Sequence, residues 1–281
     1  VSEPVQTLRL GAIAANYDAL LCDAWGVIHD GASLAPGAAK AMTAFRRECG
    51  PLVILTNAPR PSSVIPPQLD RLGLPREAYD AIVTSGDATR REIQKRLPAP
   101  AYRIGPKKDD ALFDGLPIDF CPLEDARFII CTGLVDDQKE GPEEYRGLLQ
   151  AAAARGLEMI CANPDIVVNW GGRLIWCAGA LAEIYAELGG AVIYGGKPYP
   201  PIYDLARRTI DSLRKGSEGL ARILVIGDGL KTDILGANKM GYDAVLVTGA
   251  GGVFSSDGRS LRARLDEAGV HVIGVMEALE W

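Results

Sequence analysis

Histidine, long apolar runs and a surplus of positive charge are what this chain has least of. Only His29 and His271 occur in 281 residues, too few for a zinc site built on histidine. No apolar stretch reaches the roughly 20 residues needed to cross a bilayer, and the opening VSEPVQTLRL lacks a basic-then-apolar leader pattern. The formal net charge of −6 disfavours nonspecific binding to nucleic acid or to an anionic membrane. Six cysteines, at 22, 49, 121, 131, 161 and 177, form no C-x-x-C pair. They read as buried reduced thiols, in keeping with a cytoplasmic setting. A G-x-x-x-x-G-K-[ST] phosphate loop is absent, GDGLKT lacks the third glycine of a dinucleotide fingerprint, and no EF-hand loop occurs.

What is present is a regular alternation. Apolar residues make up 48% of the chain and charged ones 23%, the composition of a folded protein with a sizeable core. Short apolar runs, each closed by Gly, Asn or Asp, alternate with helix-like segments: YDALLCDAWG, then APGAAKAMTAFRREC, then PLVILTNAP, and so on to YDAVLVTG. Continuous apolar strands separated by helices predict an α/β fold with a Rossmann-like, doubly wound parallel sheet covered on both faces. The long alternating stretch between Asn57 and Lys197 exceeds one crossover and predicts an inserted α/β domain over 88–190. Residues 1–87 and 191–281 would then form the core.

In such sheets ligands gather at the carboxyl ends of the strands, and those ends carry the chain's most informative residues. Asp23 follows LLC, Thr56 and Asn57 close LVILTN, Lys197 follows VIYGG, and Asp228 follows ILVIG with Asp233 five positions on. Asp23 could bind a metal, attack a phosphorus or cap a turn. Asp228 at a strand tip suits magnesium, with Asp233 in its first or second shell; the plainer account is a turn aspartate and a helix-start aspartate. The Thr56 hydroxyl and the Thr56 and Asn57 backbone N–H groups could cradle a phosphoryl group, or form an ordinary strand-to-turn junction. Lys197, in YGGKPYPP, would need a carboxylate or bound anion if buried, and nothing if solvated.

Taken in order, Asp, Thr-Asn, Lys-Pro and G-D-x-x-x-T-D resemble the haloacid dehalogenase superfamily of aspartate-nucleophile hydrolases. TN near 56, GGKP, GDGLKTDILGANKMGYDAVLVTG and the NPD at 163–165 are similar to its subclass with a large α/β cap, which includes p-nitrophenyl-phosphatase-like and pyridoxal-phosphatase-like enzymes. The resemblance spans Tyr17 to Gly249. It implies hydrolysis of a small phosphorylated metabolite, such as a sugar phosphate or pyridoxal phosphate, through an aspartyl-phosphate on Asp23. It also implies charge stabilisation by Thr56 and Lys197, and Mg2+ held by Asp23, Asp228, Asp233 and the backbone carbonyl of Trp25. No nucleic acid or membrane partner is expected, and a homodimer is allowed for.

Trp25 is the departure. Most phosphatases of this superfamily place a second aspartate two beyond the nucleophile, to protonate the leaving group and activate water. An indole N–H only donates. His29, four positions on, is the candidate replacement, against a loop histidine that bonds backbone. Trp25 itself would pack beneath the cap hinge or line the substrate mouth. The alternative function is a phosphometabolite-binding, regulatory protein with weak or no turnover. In the cap stretch NPDIVVNWGGRLIWCAGA, with Asn163, Asp165, Asn169, Trp170 and Trp176 near Gly-rich turns, the Asn-Pro and Gly-Gly pairs read as plain turns and the tryptophans as core.

Overall fold

The computed structural model describes residues 5–170, 173–214, 219–249 and 260–281. The strands in chain order begin with β1 (Ala19–Cys22), β2 (Leu52–Thr56) and β3 (Ala81–Thr84). There follow β4 (Ala101–Ile104), β5 (Phe128–Cys131), β6 (Glu158–Cys161), β7 (Val167–Trp170), β8 (Arg173–Trp176) and β9 (Ala191–Tyr194). The last three are β10 (Ile223–Gly227), β11 (Asp243–Val247) and β12 (Gly274–Met276). The fold is α/β with parallel sheets, and the chain divides into two compact units: Val1–Thr56, Pro66–Val83 and Tyr203–Trp281 form the first, Asn57–Ile65 and Thr84–Ile202 the second.

The first unit carries a six-stranded sheet in the order β12-β11-β10-β1-β2-β3. Strands β1, β2 and β10 are buried along their whole length, which is why they read as unbroken apolar runs rather than alternating ones. Register sets the geometry of their tips. Cys22 lies opposite Ile226 on one side and Ile54 on the other, and the Asp23 N–H donates to the Ile226 carbonyl at 2.8 Å. Asp23 therefore emerges beside the Gly227–Asp228 end of β10, one strand away from Thr56. The helix Ala38–Glu48 buries Ala38, Ala41, Met42 and Phe45, the spacing of one helical face, and its last turn holds Arg46 and Arg47 where positive charge is favoured.

The second unit has a four-stranded parallel sheet, β4-β5-β6-β9, and a two-stranded antiparallel sheet, β7-β8. Its side chains alternate between two apolar clusters. Ile129, Cys131, Met159 and Cys161 pack with Leu149, Leu181 and Tyr185 on one face, while Phe128, Ile130 and Ile160 pack with Ile93 and Leu112 on the other. Helix Ser85–Gln94, which supplies Ile93, starts with a capping box in which the Thr84 side chain accepts from the Asp87 N–H. Through Ile93 that helix packs on the second sheet, which groups it with this unit.

One expectation is corrected within this unit. VVNW and RLIW pair as antiparallel strands, with Val168 opposite Ile175 and Trp170 opposite Arg173; the Gly-Gly pair read as a turn lies outside the described residues. Trp176 is 40% exposed and Leu174 70% exposed, while Ile175 is buried, so Trp176 is not a core residue. A two-residue Gly-Gly link between apolar-rich runs favours a hairpin, and strand alternation turns Trp176 away from the face that buries Ile175. The side chains of Asn169 and Trp170 lie outside the described residues. No helix among the described residues is long and apolar enough to cross a membrane.

Candidate active site

In the first unit three carboxylates meet at the strand tips. Asp23, Asp228 and Asp233 are all buried, and each offers an oxygen within 4.8 Å of the others. At that spacing each pair of charges repels by ~3 kcal/mol even at a generous effective dielectric. Three hard oxygen donors so placed suit a divalent cation, which would offset the repulsion. Asp233 rides on a π-helical turn, Leu230–Ile234, a local widening of the helix often found where a side chain is aimed for function. Its Oδ2 accepts from the Gly229 N–H at 3.1 Å and from the Thr232 hydroxyl at 3.3 Å, which orients the carboxylate.

The turn after Asp23 is shaped by close approach. Gly26 has φ +79°, and a Cβ there would stand 2.2 Å from Asp228 Oδ2, so only glycine lets the β10 carboxylate lie against this backbone. The Gly26 N–H is satisfied by the His29 carbonyl at 2.8 Å. Further round the loop, the Asp30 carboxylate accepts from the Ala32 and Ser33 N–H groups at 2.9 and 2.7 Å, an Asx turn that fixes the segment. Those N–H groups hold the Asp30 carboxyl below its ordinary range, the Ser33 contribution being the largest.

Trp25 and His29 belong to this same loop and touch each other. Their rings meet edge to face, with centroids 5.3 Å apart and planes at 78°. The indole also covers Gly31, whose φ is +90° and where a Cβ would fall 2.4 Å from Trp25 Cη2. His29 is buried, and burial pushes its pKa down, which favours neutral imidazole. Its Nδ1 accepts from the Gly31 N–H at 3.0 Å, so the ring proton resides on Nε2. The backbone contact considered for His29 is therefore real, and it commits one of the two ring nitrogens. Thr56, the last residue of β2, is buried.

The second unit holds Asn57 and Lys197 together. Lys197 is 2% exposed, and its N–H donates to Asn57 Oδ1 at 2.7 Å. Asn57 Nδ2 donates to Asp165 Oδ1 at 2.8 Å and, at 3.4 Å, to the Lys197 carbonyl. Sequence reasoning gave Asn57 a backbone role and Asp165 a place near a turn. Neither the side-chain clamp nor its partner was foreseen, although both lie in the quoted TN and NPD segments.

The fold and site define a class: an α/β protein with an acidic centre suited to a cation at the carboxyl edge of a doubly wound sheet. A family profile described as haloacid dehalogenase-like hydrolase matches residues 20–117, and one described as HAD-hydrolase-like matches residues 194–274. A haloacid dehalogenase-like hydrolase from Brucella suis 1330 is 43% identical, covers 98% of this chain and 100% of its own, and superposes with a TM-score of 0.87. The chain belongs to the haloacid dehalogenase-like hydrolase family. It is also similar to ribonucleotide monophosphatase NagD of Escherichia coli (strain K12), 28% identical over 233 residues that span 81% of this chain and 86% of the relative. Glycerol phosphate phosphatase Rv1692 from Mycobacterium tuberculosis, solved in complex with calcium, is 25% identical with a TM-score of 0.65, covering 86% of this chain and 68% of that one.

Proposed function

We propose that the chain is a phosphoric monoester hydrolase that acts on a small phosphorylated metabolite, such as a sugar phosphate or pyridoxal phosphate, with magnesium as cofactor. The observation that carries this reading is the buried meeting of Asp23 and Asp228, at adjacent strand tips, with Asp233 on the helical turn that follows. It is supported by similarity to proteins named as a ribonucleotide monophosphatase and a glycerol phosphate phosphatase.

Asp23 is the nucleophile. A carboxylate oxygen attacks phosphorus, the bond to the leaving oxygen breaks, and an aspartyl-phosphate forms; water then attacks phosphorus and returns the carboxylate. The Thr56 hydroxyl, the Thr56 and Asn57 backbone N–H groups and the Lys197 ammonium offset charge on the phosphoryl oxygens. Asp23, Asp228, Asp233 and the Trp25 carbonyl would hold the cation, which when bound neutralises carboxylate and phosphate so that the two anions can approach. Trp25 cannot move a proton, and His29, held neutral by burial with Nδ1 taken by the Gly31 N–H, is too weak an acid to give up its Nε2 proton, so leaving-group protonation falls to solvent. Loss of general acid–base assistance costs ~10²- to 10⁴-fold, which favours substrates with good leaving groups.

The test is phosphate release from a panel of phosphomonoesters, with magnesium and with chelator. Asp23→Asn should lower turnover on the order of 10³-fold or more; equal rates for the two proteins would remove the hydrolase reading. Trp25 also favours a second reading, a phosphometabolite-binding protein with little turnover. That protein would show magnesium-dependent stabilisation of ~2.7 kcal/mol at a ligand concentration 100 times Kd, without phosphate release.

A further inference from the structure

Asn57 grips the backbone of Lys197 across 140 positions of sequence, and it can do so in only one orientation. An amide presents a donor at one end and an acceptor at the other, whereas a carboxylate only accepts. The Asp165 carboxylate therefore requires the Nδ2 end of Asn57 to face it, at 2.8 Å. Oδ1 is then left to receive the Lys197 N–H at 2.7 Å. Flipping the amide would bring two donors together at Lys197 and two acceptors at Asp165.

Asp165 is itself firmly placed. Its N–H donates to Asn163 Oδ1 at 3.1 Å, and its carbonyl accepts from the Gly179 N–H, in the first turn of helix Ala178–Glu187, at 3.1 Å. Asn57, Asn163 and Lys197 are buried, so water offers these groups little substitute bonding and an unmatched donor there is costly.

We infer that Asp165 is a positioning residue: it dictates the orientation of the Asn57 amide, and through it the backbone from which the Lys197 ammonium projects. The inference rests on the reading of Lys197 as a phosphoryl-binding group. It adds the residue that fixes where that group stands.

The experiment is a four-variant comparison in the full chain, measuring kcat and KM for phosphate release together with hydrogen exchange at the Lys197 amide. Asp165→Ala should lower kcat/KM ~10- to 100-fold, the scale of a misplaced catalytic group, with the loss mainly in kcat and with faster exchange at Lys197. Asp165→Asn keeps an acceptor oxygen and should stay near wild type. Asn57→Asp sets two carboxylates against each other and should lose more than Asp165→Ala. Combining Asn57→Asp with Asp165→Asn restores a donor–acceptor pair with its ends exchanged, and should recover most of that loss. These last three variants are isosteric, so they decide the matter even where Asp165→Ala does not fold. A double variant no better than Asn57→Asp alone would overturn the inference. So would an Asp165→Ala protein with wild-type kcat/KM and unchanged exchange. A wild-type protein that releases no phosphate would remove the phosphatase reading instead, and exchange at Lys197 across the same variants would still decide the clamp.

Discussion

The two parallel sheets of this chain handle their strand ends differently. The six-stranded sheet runs β12-β11-β10-β1-β2-β3, so the chain order reverses between β1 and β10. At such a reversal the connections leave adjacent strand tips in opposite directions and open a crevice; Asp23 and Asp228 end those two strands. The four-stranded sheet runs β4-β5-β6-β9 without reversal. Its central strands end in Cys131 and Cys161, opposite each other in register. Burial pushes the Cys131 thiol up to about 12 and the Cys161 thiol well above its usual value. Both remain protonated at neutral pH, and a protonated thiol is a poor nucleophile. One sheet gathers buried carboxylates at its tips, and the other packs polarizable thiols there as core.

That contrast can be tested by substitution. The largest effect is expected at Leu149, buried in the apolar cluster of the second sheet. Leu149→Ala should cost ~2–5 kcal/mol in denaturant unfolding; a loss below about 1 kcal/mol would mean that this face is not tightly packed. Next comes Trp25→Asp, which gives the reversal crevice a proton-transfer group. Turnover on substrates with poor leaving groups should rise, by up to ~10²-fold. An unchanged rate with phosphate esters of alkyl alcohols would show that position 25 is not where the proton moves. The smallest effect is expected at Leu174, which lies exposed on the β7-β8 hairpin. Leu174→Ser should stay within ~0.5 kcal/mol of wild type, and a larger drop in melting temperature would show that the hairpin face is covered in solution.

Much of the first sheet was legible because its strands are continuous apolar runs with polar tips. Asp23, Thr56 and Asp228 stood out in the sequence because each closes such a run. That Asp23 stands beside Asp228 was legible only through the family resemblance, since no local pattern encodes the register between segments so far apart. The hairpin was missed for a different reason: its two four-residue strands are too short to separate by periodicity from turn-flanked apolar residues. Helix Leu261–Ala268 and strand β12 fall beyond Gly249, where the family pattern ends, and drew no expectation. The Asn57–Asp165 bond joins residues 108 positions apart, and its meaning depends on which end of an amide faces which partner. Residue types alone do not carry that.

The clamp also bears on how the polypeptide reaches its native state. Asp18 and Arg222, which pair where β1 and β10 begin, are 204 positions apart, so the cation centre cannot assemble until most of the chain has been synthesised. If the second unit folds first and ties Asn57 to Lys197, the segment that must still be closed shrinks to roughly 60 residues, easing closure by ~1 kcal/mol. The intervening unit would then act as a folding shortcut, drawing together the halves of the sheet it separates in sequence.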